Sequence, residues 1–169
     1  MTAPGRTLPG RALPRRLMEC LALAQLWCAA AFIEVALRRH PFANLAARWT
    51  RAAASPLGRR LPLGGARLPT QRLDRLADLA AGWWRSGREC LPRTLLRWWI
   101  AIGADPAVDA VLVIGVRRDA SRPFSAHAWL VIDGRVRGER RDPAATFQEL
   151  VRYDRDGRTV PAGAAGGGP

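Results

Sequence analysis

Between Leu17 and Leu37 apolar side chains fill nearly every position, interrupted chiefly by Glu19, Gln25 and Glu34. A stretch of that length without a polar face predicts a buried helix, with Cys20 and Cys28 as small core residues. Arg39, His40 and Pro41 end it, a shorter apolar pattern runs from Phe42 to Trp49, and a loop rich in Pro, Gly and Arg extends to about Pro69. Thr70 is placed to cap a second long helix, whose Leu73, Leu76, Ala77, Ala80, Trp83 and Trp84 recur at helical spacing and which ends at Ser86 and Gly87. A further helix begins near Cys90, turns Leu91, Leu95, Trp98, Trp99 and Ile102 toward a core, and stops at Gly103.

From Ala110 the period changes. Val111 to Val116 is a β-branched run, Ser125 to Ile132 is a second segment of strand length, and Asp133-Gly134 marks a tight turn into a short strand, Arg135 to Glu139. Asp142 and Pro143 then open a last helix through Val151. Helices followed by a meander predict an α+β fold, helices covering one face of a small antiparallel sheet, over residues 11–153. The flanks, 1–10 and 154–169, are rich in Gly and Pro and are expected to be disordered tails.

Composition bounds this picture. The 169 residues, 49% apolar, suit one domain with an ordinary core. The net charge of +13 rests entirely on arginine, with no lysine in the chain, as a GC-rich coding sequence would give. It need not record selection for a polyanion, although a basic surface favours encounters with acidic peptides, nucleic acids and anionic membranes. Three cysteines, an odd count, point to reduced thiols and a cytoplasmic setting. The 14 residues between Glu19 and Glu34 are fewer than a bilayer span requires, so at most peripheral membrane contact is expected. No glycine-rich phosphate loop, Cys-x-x-Cys or His-x-x-x-His occurs, so neither a cofactor nor a metal is indicated.

Cys90 is the cysteine placed for chemistry, because a helix N-terminus offers free N–H groups that favour the thiolate. Cys20 and Cys28 lie in mid-helix. Of the two histidines, His40 sits at a helix end where a surface or capping role suffices. His127 lies inside an apolar strand between alanines, where a polar residue requires a partner, either a backbone carbonyl or Cys90, which it would activate as base. A third group should orient it. With a two-residue turn at Asp133-Gly134, His127 opposes Arg140 and Glu139 faces away. With a three-residue loop Ile132-Asp133-Gly134, His127 lies opposite Glu139 and Leu130 meets Val136; this register is preferred because it gives the imidazole a carboxylate. Asp142 reads better as a helix cap and Asp133 as a turn residue.

The segments Cys90-Leu91-Pro92-Arg93-Thr94 and Ser125-Ala126-His127-Ala128-Trp129, followed by Asp133-Gly134 and an acid, resemble the leader peptidases of lasso-peptide biosynthesis over roughly residues 12–152. The resemblance implies a transglutaminase-like cysteine protease that removes the leader from a ribosomally made precursor. It also implies a separate leader-recognition protein, since no room exists for a fused one, and an asparagine-synthetase-like macrolactam synthetase that acts next. In that family the third catalytic member is usually Asp, where this chain has Glu139. Arg93 is a candidate guide for an acidic leader.

Two other classes share part of this pattern. A nucleic-acid-binding protein would use the charge and Trp83, Trp84, Trp98 and Trp99 for stacking, but those residues fall on apolar faces and the arginines are scattered. The same fold as an inactive scaffold, or as a transferase passing the acyl group to an amine, is not separable from the hydrolase by sequence.

Overall fold

The computed structural model describes residues 14–61, 68–84, 90–105, 107–117 and 125–161. The helices are α1 (Arg15–Arg39), α2 (Phe42–Ala54), α3 (Thr70–Gly82) and α4 (Cys90–Ala104), and the strands are β1 (Ala110–Arg117), β2 (Ser125–Ile132), β3 (Arg135–Arg137), β4 (Gln148–Tyr153) and β5 (Thr159–Val160). The strands form one antiparallel sheet in the order β3-β2-β1-β4-β5.

Proline starts three of the helices. Pro14, Pro41 and Pro69 each occupy the N-cap of α1, α2 and α3, with no side-chain cap, and their carbonyls receive the first helical N–H groups. A residue with φ already fixed near helical values favours such a start. Thr70 is therefore the first residue of α3 rather than its cap.

The core joins α1–α4 to one face of the sheet through Leu26, Ile33, Leu95, Trp98, Leu112 and Leu130. Two indoles fix α4 within it: Trp49 Nε1 donates to Leu95 O at 2.9 Å, and Trp98 Nε1 donates to Ala110 O at 3.0 Å. Trp98 and Trp99 are thus core residues as expected, while Trp83 is 74% exposed and does not join the apolar face of α3.

Several expectations are corrected. Cys20 and Cys28 are exposed, because α1 buries only the side carrying Met18, Ala22, Leu26, Ala30 and Ile33. At 25 residues α1 is long and apolar enough, by length and composition alone, to cross a membrane, and 33% of its apolar stretch is buried against the rest of the chain. The expected last helix is instead a single 3-10 turn, Pro143–Ala145, followed by β4. The free edge of β1 offers a ladder that a local helix cannot match, and Gln148–Tyr153 takes it with a bulge at Ile114/Gly115. Asp142 still caps, accepting from Ala144 N, but on that short turn. The C-terminal flank is ordered as far as β5, which pairs with β4. α3 ends at Gly82, with Trp83 as its C-cap, short of the expected Ser86-Gly87. The expected N-terminal tail and residues 162–169 lie outside the described residues.

Candidate active site

Cys90 is the first residue of α4 and is partly buried. Pro92, in the first turn, costs no hydrogen bond there, since the amides of that turn have no intrahelical partner. Thr94, one turn later, is 2% exposed; its hydroxyl lies 2.8 Å from Cys90 O and 2.9 Å from Ala128 O, joining the start of α4 to β2.

The pairing of β2 with β3 decides how the histidine and the acid meet. The register is Leu130↔Arg137, Val131↔Val136 and Ile132↔Arg135, so the turn has two residues, Asp133 and Gly134, with φ of 49° and 73°. Both are left-handed, as a tight hairpin of this length requires, and Asp tolerates that region better than most residues. The three-residue loop is therefore not formed, and Leu130 does not face Val136. By strand parity Glu139 should then turn away from His127.

It does not, because β3 ends at Arg137. Gly138 has φ of 77°, which breaks the alternation of an extended chain, and Glu139 swings back so that its Oε2 lies 3.5 Å from His127 Nε2. Glu139 thus reaches the imidazole through a glycine kink rather than through the expected register. Its other oxygen, Oε1, lies 3.7 Å from Arg93 Nη2.

The kink is held from beneath. Arg97, on the next turn of α4 after Arg93, is 7% exposed; its Nη2 binds both oxygens of Asp78 on α3 at 2.7 and 2.9 Å, and its Nη1 donates to Gly138 O at 3.3 Å. A Cβ at Gly138 would press on the Arg97 guanidinium and displace it, in addition to the strain that the left-handed φ imposes on any side chain there. Sequence reasoning passed over Arg97 and Asp78. The available signal was a single arginine between Leu95-Leu96 and Trp98-Trp99, a charge that a buried helix face holds only with a partner.

Where β3 stops, the β2 backbone is taken up by α4. Ala128 hydrogen-bonds the Cys90 sulfur through its backbone and accepts from Thr94 through its carbonyl. His127 is stacked against Phe147 at 5.1 Å and against Trp129 at 6.1 Å, which limits its ring to few orientations. Phe147 comes from the turn that replaces the expected last helix.

Electrostatics favour a charged pair. Burial alone would push the Cys90 thiol up, but the hydrogen bonds from His127 and from the Ala128 backbone, with the charges of His127 and Arg93, outweigh it and hold the thiol below its ordinary value. His127 is raised, first by its hydrogen bond with Cys90, against burial, and then by the charge of Glu139. The N-terminus of a 15-residue helix adds a favourable field for the thiolate. Beside His127 and Glu139 lies an open cleft of about 670 Å³, lined also by Arg93, Arg140, Arg141 and Phe147, among others; Cys90 does not itself line it.

The chain matches the Transglutaminase-like superfamily over residues 29–152 and belongs to it. No curated protein and no solved structure matches the chain. The membership establishes the transglutaminase-like α+β fold and points to cysteine protease or acyltransferase-type activity.

Proposed function

We propose that the chain is a cysteine protease that removes the leader from a ribosomally synthesised lasso-peptide precursor. The observation that carries the chemistry is the convergence of Cys90, His127 and Glu139, from α4, β2 and the segment after β3, beside an open cleft. The lasso assignment rests on the paired motifs around Cys90 and His127.

In this reading the Cys90 thiolate attacks the scissile carbonyl carbon, and the tetrahedral oxyanion is met by the backbone N–H of Cys90 at the helix N-terminus. The C–N bond breaks as the His127 imidazolium gives its proton to the leaving amine, leaving a thioester on Cys90. Water then attacks the thioester carbonyl as His127 takes its proton, and the C–S bond breaks, releasing the leader's new carboxyl end and restoring the Cys90 thiolate beside the His127 imidazolium. Glu139 fixes the ring and favours its charged form. Arg93 steadies Glu139 and stands at the cleft, where it can also meet an acidic leader. A separate leader-recognition protein delivers the precursor in the cytoplasm, and an asparagine-synthetase-like macrolactam synthetase consumes the freed core peptide.

The test incubates the protein and the leader-recognition protein with precursor peptide, and follows cleavage by mass spectrometry. Loss of cleavage in Cys90→Ala and His127→Ala, with a reduced rate in Glu139→Gln, supports the reading. Undiminished cleavage by Cys90→Ala would end it.

A further inference from the structure

Helix α1 is apolar on both sides but buries only one. Opposite its core face, Leu17, Cys20, Ala24, Trp27, Cys28 and Val35 recur at three-, four- and seven-residue spacings and are all exposed. The stripe is about 27 Å long at 1.5 Å per residue. Among the described residues it carries no exposed acid: Glu34 is buried, and Glu19 turns aside to Arg15 and Arg72. Arg16 stands at one end of the helix, Arg38 and Arg39 at the other.

Beside the C-terminal half of the stripe lies a groove of about 680 Å³ between α1 and α2. Phe32, Val35 and Trp49 form apolar parts of its lining, and Arg39, Arg48 and Arg51 are the cations beside them. No carboxylate pairs with Arg39 or Arg48 among the described residues.

An occupant must therefore be apolar and anionic together. A second copy of this chain is the wrong partner, since stripe against stripe would set arginine-flanked surfaces of two chains at +13 against each other. From this pairing of an apolar stripe with a cation-lined groove, we infer that the α1–α2 face docks on an anionic phospholipid bilayer. The helix lies in the interface plane, its stripe facing the acyl region and Arg39 and Arg48 at the phosphates. Crossing the bilayer instead would strip Leu26, Ile33 and their neighbours from the core, so the helix lies on the surface.

The test sediments the full chain with vesicles of equal phosphatidylglycerol and phosphatidylcholine, and with phosphatidylcholine alone. Binding is expected to the anionic vesicles and to be at least about tenfold weaker on the neutral ones. Reversing two charges in Arg39→Glu/Arg48→Glu should weaken it by roughly twentyfold or more. Phe32→Ser/Val35→Ser should weaken it by about tenfold or more, with unchanged circular dichroism and unchanged Cys90 alkylation showing that the fold and site persist. The inference is overturned by absence of binding to anionic vesicles, or by full binding of the Phe32→Ser/Val35→Ser variant. It is also overturned if the wild-type chain forms dimers without lipid that this variant loses, because the stripe then belongs to a second copy.

Discussion

Arg97 Nη1 donates to the carbonyl of Gly138 at 3.3 Å, so the helix that begins with Cys90 also fixes the backbone kink that sends Glu139 to His127. One element therefore sets two members of the site. Cys90 stands at its first residue, and Glu139 is positioned through a guanidinium two turns further on, itself clamped by Asp78.

Gly138→Ala should be the more damaging of the small changes near the site. Its φ of 77° strains any residue with a Cβ, and that Cβ would meet Arg97. A loss of about 1–3 kcal/mol in denaturant unfolding is expected, with the Cys90 thiol rising toward its ordinary range as Glu139 leaves His127. A variant with native stability and an unmoved thiol would mean the kink does not position the acid.

Glu139→Gln keeps the shape and removes the charge. Because that charge raises His127, the imidazole pKa should fall, leaving less imidazolium near neutral pH and a less acidic Cys90. Titration of the ring by NMR reads the sign directly. A fall is expected, and a rise or no change would remove Glu139 from the electrostatics of the pair.

Thr94→Val removes a hydroxyl buried between two carbonyls without changing the side chain's shape. A cost of about 1–3 kcal/mol is expected, because the hydrogen bond joining α4 to β2 at Ala128 is lost. Chemical denaturation measures it, and a neutral variant would show that this hydrogen bond does not hold α4 to β2.

His127→Ala should lower turnover by roughly 10²–10⁴-fold, the range expected when a general acid–base is removed. The comparison is made on precursor cleavage at saturating substrate, with circular dichroism as the check on folding.

The helical half of the fold was legible because apolar periods and prolines are local signals, and α1, α3 and α4 follow them. So were Cys90 and His127, each conspicuous for its position: a thiol at a helix start, an imidazole in an apolar strand. What failed was non-local. A capping Asp-Pro pair looks the same before a helix and before the 3-10 turn that precedes β4, and only the open edge of β1 selects the strand. Glu139 was placed with the right partner by the wrong geometry, since parity arguments assume an extended chain and Gly138 ends it. The exposed side of α1 was misjudged for a related reason: an all-apolar helix announces two faces to be covered, and the packed domain covers one.

Competitive alkylation within one molecule measures most directly whether Cys90 and His127 form the proposed pair. Cys20 and Cys28 are exposed and serve as internal controls for the partly buried Cys90. Limiting iodoacetamide at a series of pH values, followed by peptide mapping, should label Cys90 first at the low-pH end of the series, because its thiol is held below its ordinary value. In His127→Ala the Cys90 profile should move to higher pH, as burial then acts with less opposition. If Cys90 instead reacts more slowly than Cys20 and Cys28 at every pH, or if its profile is unchanged in His127→Ala, the activated pair does not exist.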